Sequence, residues 1–381
     1  MTSSRPIKTL IVDLSMQYGG STSRVLELMK HLPTGEAALA SLAASAVTRH
    51  AHELNLPIHT IGRSKMDPRI LANLIRLIRA ENFQVLDSQN IQSKFWASLA
   101  ARLTHTALIS TIHSWYENEH GRKSIKGKIY TQIELSTNSN LSYYITVSEK
   151  DRQSLLQSGF PEERIQLIYN AVTIDPELAD QDPKKIRDSW GLPQNAWVCL
   201  AVGRLVPVKG YDVLIDAIAL ARTQIPEIHC IIVGEGESRE NLTNQIKHHG
   251  LESRIRLVGY CGRIDTLSSF KACDVFVMPS RYEGTPIALL ESAAFGCPII
   301  ASRSGGIPEV VTHEQHALLV PPENPDALAQ ALIRLSQNRQ FASLLGANAK
   351  SHIAADFNLD NQVRLTKHIY KKAFELHTVE P

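Results

Sequence analysis

Short apolar runs punctuate this chain, and between them apolar residues return every third or fourth position. The runs have the length and β-branched content of buried strands; the stretches between them have the period of an amphipathic helix. In the first half the predicted strands are Thr9–Asp13, Ile58–Ile61, Gln84–Asp87, Ala107–Ile112, Tyr143–Val147 and Ile165–Ile168. Ile70, Leu71, Leu74, Ile75, Leu77 and Ile78 fall on one broad helical face, with Arg76 and Arg79 on the other. Ala37–Val47 reads both ways: alanine favours helix, whereas its place in the alternation asks for a strand. Asp175–Asn195 is rich in Pro, Asp, Lys and Gln and reads as an interdomain linker with a short helix. The alternation then restarts, with strands at Trp197–Val202, His229–Val233, Ile255–Val258, Val275–Met278, Ile299–Ala301 and Ala317–Val320. From about Pro325 the chain is helical, and its last helix runs from about Leu359 to Phe374. This alternation predicts α/β architecture with parallel sheets. The domains expected are 1–174 and 196–356, joined by a linker over 175–195 and followed by a helical segment over 357–381.

Length and composition agree with that division. A chain of 381 residues is expected to form two domains, each able to bury a core without disulfides or structural metals. Hydrophobic residues make up 43% and charged residues 20%, as in soluble globular proteins. The charge is uneven: residues 1–170 hold 19 Lys+Arg against 14 Asp+Glu, a net +5, and the remainder is −3. That hints at an anionic partner for the first half, although scatter among solvated faces gives the same count. Cys199, Cys230, Cys261, Cys273 and Cys297 form no CxxC pair and read as small buried apolar groups in a reduced compartment. Leu10-Ile11-Val12 is too brief a run for a secretory signal, and no stretch reaches membrane-spanning length. The expectation is a cytoplasmic protein, with peripheral contact to the inner face of the membrane left open.

The strongest local signal is Arg281-Tyr-Glu-Gly-Thr-Pro-Ile-Ala-Leu-Leu-Glu291. Thr285 is placed to cap a helix and Pro286 to occupy its first position, with Gly296 and Pro298 as stop signals. The predicted helix runs from Pro286 to Phe295, directly after a strand. In an open α/β sheet such strand-to-helix junctions present free amides and partial positive charge to ligands. Glu283 in the loop and Glu291 in the helix can then face one crevice at different depths. Taken alone, two glutamates eight apart read equally as surface or capping acids. The neighbouring turns change the weighing. Gly203-Arg204 ends one strand and Lys209-Gly210 opens the next helix; Gly234-Glu-Gly236 and Ser304-Gly305-Gly306-Ile-Pro-Glu309 end two others. Glycines let a backbone approach a diphosphate, and Arg and Lys neutralise it. Four such strand ends describe one long anion-binding edge.

Over about residues 198–322 the chain resembles the nucleotide-binding domain of glycosyltransferase family 4, the retaining enzymes of GT-B fold. The resemblance rests on the Gly-Arg-x4-Lys-Gly turn, the Gly-x-Gly turn, the Glu-x7-Glu motif and the Gly-Gly-x-x-Glu turn, in the family's order. It implies two Rossmann-like α/β/α domains facing a central cleft, with the donor nucleotide sugar on the C-terminal domain and the acceptor on the N-terminal one. It also implies a final helix that crosses back to the N-terminal domain. By motif position Arg204 and Lys209 hold the donor diphosphate, Glu291 the ribose, and the loop Glu283, Gly284, Thr285 and Pro286 reaches the donor sugar. Gly203, Gly234 and Gly236 complete the donor set. No cofactor beyond a UDP- or GDP-sugar is implied, and no DxD motif or His/Cys cluster suggests a metal.

The first half resembles the family's acceptor domain less closely. Gly19-Gly20 follows the first strand, where its backbone is able to close over the phosphates; a plain structural turn is the alternative. His113 ends a strand where the family often has an active-site histidine. Asn170-Ala171-Val172 replaces the family's Asn-Gly-Val, and Ala171 lacks glycine's freedom at positive φ. Glu314-Gln315-His316-Ala317 stands where a Gly-rich turn is usual. Arg122, Lys123, Lys126 and Lys128, preceded by Trp115 and Tyr116, form a basic aromatic stretch that in several branches of the family meets membranes or lipid-linked acceptors. A solvated helix face is the plainer reading.

The implied reaction breaks the bond between an anomeric carbon and a diphosphate, so stabilising negative charge on the leaving group is the main task. Arg204, Lys209 and helix N-termini supply it. Retention follows from the resemblance, with the leaving phosphate taking the acceptor's proton on the same sugar face and Glu283 orienting the donor sugar or supporting the cation. The expected partners are the nucleotide sugar and a sugar or lipid-linked saccharide acceptor, in polysaccharide, lipopolysaccharide or glycolipid synthesis, and not a nucleic acid. A nucleotide-sugar epimerase on the same scaffold is the main rival, and a non-catalytic sensor another. A NAD-dependent oxidoreductase requires GxGxxG after the first strand, which Gly19-Gly20-Ser21 does not provide.

Overall fold

The computed structural model describes residues 6–115, 125–138, 141–173 and 182–379, the side chains of Lys126 and Val379 excepted. The chain divides into two units, Met1–Ala171 with Leu359–Pro381, and Val172–Asn358. The first contains β1 (Thr9–Val12), β2 (Ala37–Leu42), β3 (Ile58–Gly62), β4 (Val85–Ser88), β5 (Ala107–Ile112), β6 (Leu141–Thr146) and β7 (Ile165–Leu167). These form one parallel sheet in the order β3-β2-β1-β4-β5-β6-β7. Side chains alternate across it with the two-residue period of a strand. Leu10 and Val12 face one core with Leu42, Leu74 and Leu86, while Ile11 faces another with Val25, Leu28 and Leu39.

The ambiguous alanine-rich stretch resolves into both elements. Ala37–Leu42 is a fully buried strand paired on either side with β1 and β3, and those ladders override alanine's helix preference. Ser45 then caps the helix Ala46–Glu53, its hydroxyl accepting from the Thr48 N–H at 3.0 Å. Ile70, Leu74 and Ile78 form the buried line of the helix Arg69–Glu81.

The final helix, Leu359–Val379, is five residues longer than the apolar pattern predicts and belongs to the first unit. Ile369, Tyr370 and Ala373 pack on Val85, Ile109 and Ile145 of the sheet. Ala171 does not adopt positive φ, so that turn works without glycine; its N–H donates to Gln362 Oε1 of the final helix at 2.8 Å.

The second unit contains β8 (Trp197–Val202), β9 (Ile228–Val233), β10 (Ile255–Gly259), β11 (Val275–Met278), β12 (Ile299–Ser302) and β13 (Leu318–Val320), parallel in the order β10-β9-β8-β11-β12-β13. The short helix expected in the linker is Pro183–Ser189, capped by Asp182. It is not part of a free tether. Arg187 donates to Asp274 and to the Ala272 carbonyl, each at 2.8 Å, and to the Ala196 carbonyl at 3.1 Å, so the chain is built into this unit from Asp182 onward. The stretch 174–181 lies outside the described residues. Glu314, where a Gly-rich turn was the norm, takes the left-handed conformation glycine would supply, at φ 61°.

The five cysteines are free; Cys199, Cys230 and Cys297 are buried. Among the described residues no helix is long and apolar enough to cross a membrane.

Both sheets reverse their winding direction at one place, between β1 and β4 and between β8 and β11. Just beyond the carboxyl ends of the strands at such a switch point the flanking helices diverge and leave room for a ligand.

Candidate functional site

At the second unit's switch point, β8 runs into Gly203 and Arg204, then a tight turn Pro207–Lys209, then the helix Tyr211–Ala221. β11 runs into the loop Pro279–Pro286 and the helix Ile287–Ala294. Because β8 and β11 are neighbours, residues 74 apart in sequence meet: Lys209 Nζ lies 2.6 Å from Glu283 Oε1. The Ser280 hydroxyl donates to the same oxygen at 2.6 Å. Both partners are mostly buried, with side chains 19% and 12% exposed, and Arg204 stands exposed at the end of β8.

Tyr211, which the sequence reading did not name, and Arg281, which it named without a role, complete this corner. Tyr211 is buried, and its burial, reinforced by the Glu283 carboxylate, pushes the phenol well above its usual value, so it stays a neutral hydroxyl. Arg281 clamps the two turns together: its guanidinium binds Asp212 at 2.7 and 2.9 Å and Glu323 at 3.0 Å, and its N–H donates to the Val208 carbonyl at 2.7 Å. Burial alone would raise the Asp212 carboxyl; Arg281 outweighs it and holds it below its ordinary value. The position of Tyr211, directly after Gly210 at the helix start, was the available sequence signal. Nothing local marks the Arg281–Asp212 pair.

The four glycine- or charge-bearing turns follow β9, β8, β11 and β12, which are four adjacent strands. They pack backbone against backbone. A Cβ on Gly234, at φ 144°, would stand 1.9 Å from the Gly203 carbonyl oxygen, and one on Gly305, at φ 56°, would stand 2.0 Å from that of Glu283. The Gly306 N–H donates to this Glu283 carbonyl at 2.9 Å. Gly234 is thus required by the neighbouring turn, a role the phosphate argument did not include. Gly236 is similar, with Leu205's carbonyl in its way.

Glu291 is buried at 3% exposure, and its carboxylate forms an ion pair with Arg263 at the start of the helix Arg263–Ala272. Arg263 lies in no motif, and sequence reasoning missed it. The capping expectation is corrected: Thr285 is not the cap. Pro286 itself occupies that position in an extended conformation, with no side-chain cap, and its carbonyl accepts from Leu289 and Leu290. Proline at φ −77° and ψ 118° has left the helical region, so the helix starts one residue later than predicted. Gly284 and Thr285 are buried in the loop before it.

In the first unit, Gly19 precedes the helix Gly20–His31 in extended backbone, with nothing within 4 Å of a notional Cβ. His113 follows β5, and its Nε2 lies 3.1 Å from Gln89 Oε1 beyond β4. Burial, reinforced by the Arg24 guanidinium, holds the imidazole down to about 3, so it is neutral. Arg24 is fully buried close to Asp87, which accepts from Thr111 at 2.8 Å and from Tyr370 of the final helix at 2.7 Å.

Trp115 does not serve the role expected of it. It is 3% exposed and lies in the core, and its backbone N–H donates to Asp151 Oδ1 at 2.8 Å, so its ring is not presented at the surface. Lys128 is exposed on the helix Ile125–Ser136. Tyr116, Arg122 and Lys123 lie outside the described residues, as does the Lys126 side chain. Among the described residues no group of three His, Cys, Asp or Glu is arranged to hold a metal.

Two family profiles match the chain, glycosyl transferases group 1 over residues 182–352 and glycosyltransferase family 4 over residues 18–176. An uncharacterised glycosyltransferase of Methanocaldococcus jannaschii is 28% identical over 79% of this chain and 78% of its own length. The UDP-Gal:alpha-D-GlcNAc-diphosphoundecaprenol alpha-1,3-galactosyltransferase of Escherichia coli is 27% identical over 80% of this chain and 79% of its own. Among solved structures, Anabaena HepE in complex with UDP and glucose shares the fold with a TM-score of 0.85 at 22% identity, over 96% of this chain and 99% of that one.

Proposed function

We propose, from the premise that this chain belongs to the group 1, family 4 glycosyltransferases of GT-B fold, that it moves a hexose-type sugar with retention from a nucleoside-diphosphate sugar to an acceptor hydroxyl. The observation that carries this reading is the Lys209–Glu283 pair at the β8/β11 switch point with Arg204 beside it. Lys209 exchanges its carboxylate for the donor's phosphate oxygens, and with Arg204 it stabilises the departing diphosphate. These cations do the work a metal would do. Glu283, released from Lys209 and held by Ser280, orients the donor sugar. Glu291, fixed by Arg263, receives the ribose, and the neutral Tyr211 hydroxyl stiffens the Gly203 turn.

In the first unit, the Gly19 backbone closes on the donor phosphates; nothing in the fold occupies the space a side chain there would take. His113, kept neutral, is a hydrogen-bond partner for the transferring sugar rather than a cation. The donor is a UDP- or GDP-sugar, with UDP favoured by the name of the E. coli relative and the ligand of HepE. The acceptor is a lipid-linked saccharide of envelope glycan synthesis, by the same relative's name. The protein then works in the cytoplasm at the inner face of the membrane.

The test is incubation with UDP- and GDP-sugars and a lipid-linked saccharide fraction, reading product anomeric configuration by NMR. Transfer with the donor's configuration kept is the expected result. Inverted product overturns the retaining mechanism, and sugar isomerised without acceptor overturns transfer itself.

A further inference from the structure

One face of the first unit's sheet turns from apolar to polar along its strands. Val85, Asp87 and Gln89 follow at intervals of two along and just past β4. Ala107, Ile109, Thr111 and His113 do the same along β5, its neighbour, so the two sets share a side of the sheet. This is the side on which the final helix packs, with Ile369 and Tyr370 against Val85, Ala107 and Ile109. Nearer the carboxyl ends these apolar contacts give way to hydrogen bonds. Tyr370 and Thr111 donate to the two oxygens of Asp87 at 2.7 and 2.8 Å, and Gln89 Oε1 lies 3.1 Å from His113 Nε2. Gln89 is buried, and its backbone N–H is shared between the Val12 carbonyl at 3.0 Å and the Ser93 hydroxyl at 3.1 Å, which anchors it.

These contacts decide which way the Gln89 amide faces and where the proton of His113 sits. Burial raises the Asp87 carboxyl, and the Tyr370 and Thr111 hydroxyls, the Arg24 charge and the Gln89 side chain all oppose that. An amide opposes it with its N–H groups, not with its oxygen. Gln89 Nε2 makes no hydrogen bond among the described residues, yet turning the amide over would set its oxygen against the Asp87 carboxylate, which only accepts. The oxygen therefore faces His113. Since that oxygen also only accepts, the ring nitrogen it meets, Nε2, carries the hydrogen. Nδ1 is then a bare lone pair, buried and without a partner among the described residues. Burial, together with the Arg24 guanidinium, opposes a second proton there.

We propose that Gln89 is a positioning residue for His113: it holds the ring in one orientation and as the Nε2–H tautomer, so that the ring nitrogen left for a ligand hydroxyl is Nδ1, an acceptor. Asp87, fixed by Tyr370 and Thr111, keeps the Gln89 amide the right way round for this. The catalytic consequence rests on the reading that His113 meets the transferring sugar. The tautomer itself is measured without donor or turnover.

The experiment is long-range proton–nitrogen correlation spectroscopy of the histidine rings in the full chain, with His113 assigned by the resonances that His113→Asn removes. The wild type is expected to show a neutral Nε2–H ring whose Nε2 proton is protected from exchange. In Q89L, which cannot accept, that protection is lost and the Nδ1–H form grows about fivefold, the weight of one hydrogen bond. In Q89E, which still accepts, the Nε2–H form persists, and the ring takes up its second proton at higher pH because a carboxylate now faces it. In turnover, Q89L lowers kcat at least about tenfold, while its UDP-induced thermal shift stays that of the wild type. A wild-type Nδ1–H ring, or a ring unchanged in both Q89L and Q89E, overturns the proposal. So does wild-type kcat in Q89L once its tautomer has changed, which removes Gln89 from the reaction. If the wild type transfers no sugar, the functional reading fails, and the spectra still decide whether Gln89 sets the ring.

Discussion

At the strand ends of the second unit, turns lie on turns: Gly234 against Gly203 and Gly305 against Glu283, with Lys209 and Arg281 paired to carboxylates across the gap between β8 and β11. At the strand ends of the first unit, Gly19 has open space around it, and the ionisable groups behind it are buried: His113 is held neutral, Asp87 accepts from Tyr370, and Arg24 lies near Asp87 with its side-chain nitrogens making no hydrogen bond among the described residues. Two sheets of like winding have therefore been finished differently. One edge holds ion-paired or exposed charges at its strand ends. The other offers bare backbone and neutral hydrogen-bonding groups. Under the proposed function, the charged edge is the one that meets the departing diphosphate.

The largest effect is expected from Lys209→Ala. It should lower kcat by about 10²–10³-fold if Lys209 meets the leaving group, while stability falls by about 2 kcal/mol, because the mostly buried Glu283 loses its cation but keeps the Ser280 hydroxyl. Steady-state kinetics with denaturant melts checks both halves; wild-type turnover removes Lys209 from the mechanism. The glycines separate the edges next. Gly234→Ala drives a Cβ into a backbone carbonyl and should cost about 3 kcal/mol, a Tm drop of roughly 6–12 °C. Gly19→Ala should leave stability within about 0.5 kcal/mol of wild type, a Tm change of about 1–2 °C, yet raise the donor KM. Equal Tm changes in the two would erase the contrast.

Much of the fold was legible. The β-branched runs announced most strands to within two residues, because their apolar side chains must be buried on both faces of a parallel sheet. Ala37–Leu42 was not, since alanine carries no strand signal and only the ladders from β1 and β3 make it one. In the candidate site, Arg204, Lys209 and Glu283 were visible from strand-end position and Glu291 from its spacing to Glu283 on the helix that follows. Their pairing was not: it depends on β8 lying beside β11, a fact of winding order that no local window contains. Arg263 and Tyr211 lay outside every motif. Trp115 was misread because aromatic residues suit interfaces and cores alike, and burial decides between them.

Arg263→Met should cost about 2 kcal/mol by leaving the buried Glu291 carboxylate without its guanidinium, the figure reduced because Arg263 is 30% exposed. The double variant R263M/E291Q should recover most of it in a double-mutant cycle; additive losses would mean the pair is not coupled. The smallest effect near neutral pH concerns His113. The unfolded chain takes up a proton there below about 6.5, while the folded imidazole stays neutral down to about 3. Stability is thus fully present above about 6.5 and falls as pH drops through that window, by at most about 1.4 kcal/mol per unit. His113→Asn should flatten this acid limb in urea melts, and an unchanged slope would show that His113 is not held neutral.

If the edge of the second unit binds a nucleoside diphosphate through Lys209, thermal unfolding of wild type and Lys209→Ala with UDP, GDP or ADP will show it. At about 100 times the dissociation constant, one nucleotide should stabilise the wild type by about 2.7 kcal/mol, a rise of several degrees at roughly 2–4 °C per kcal/mol. The variant should lose most of that shift. No shift with any of the three, or an equal shift in the variant, would rule out nucleotide binding through Lys209.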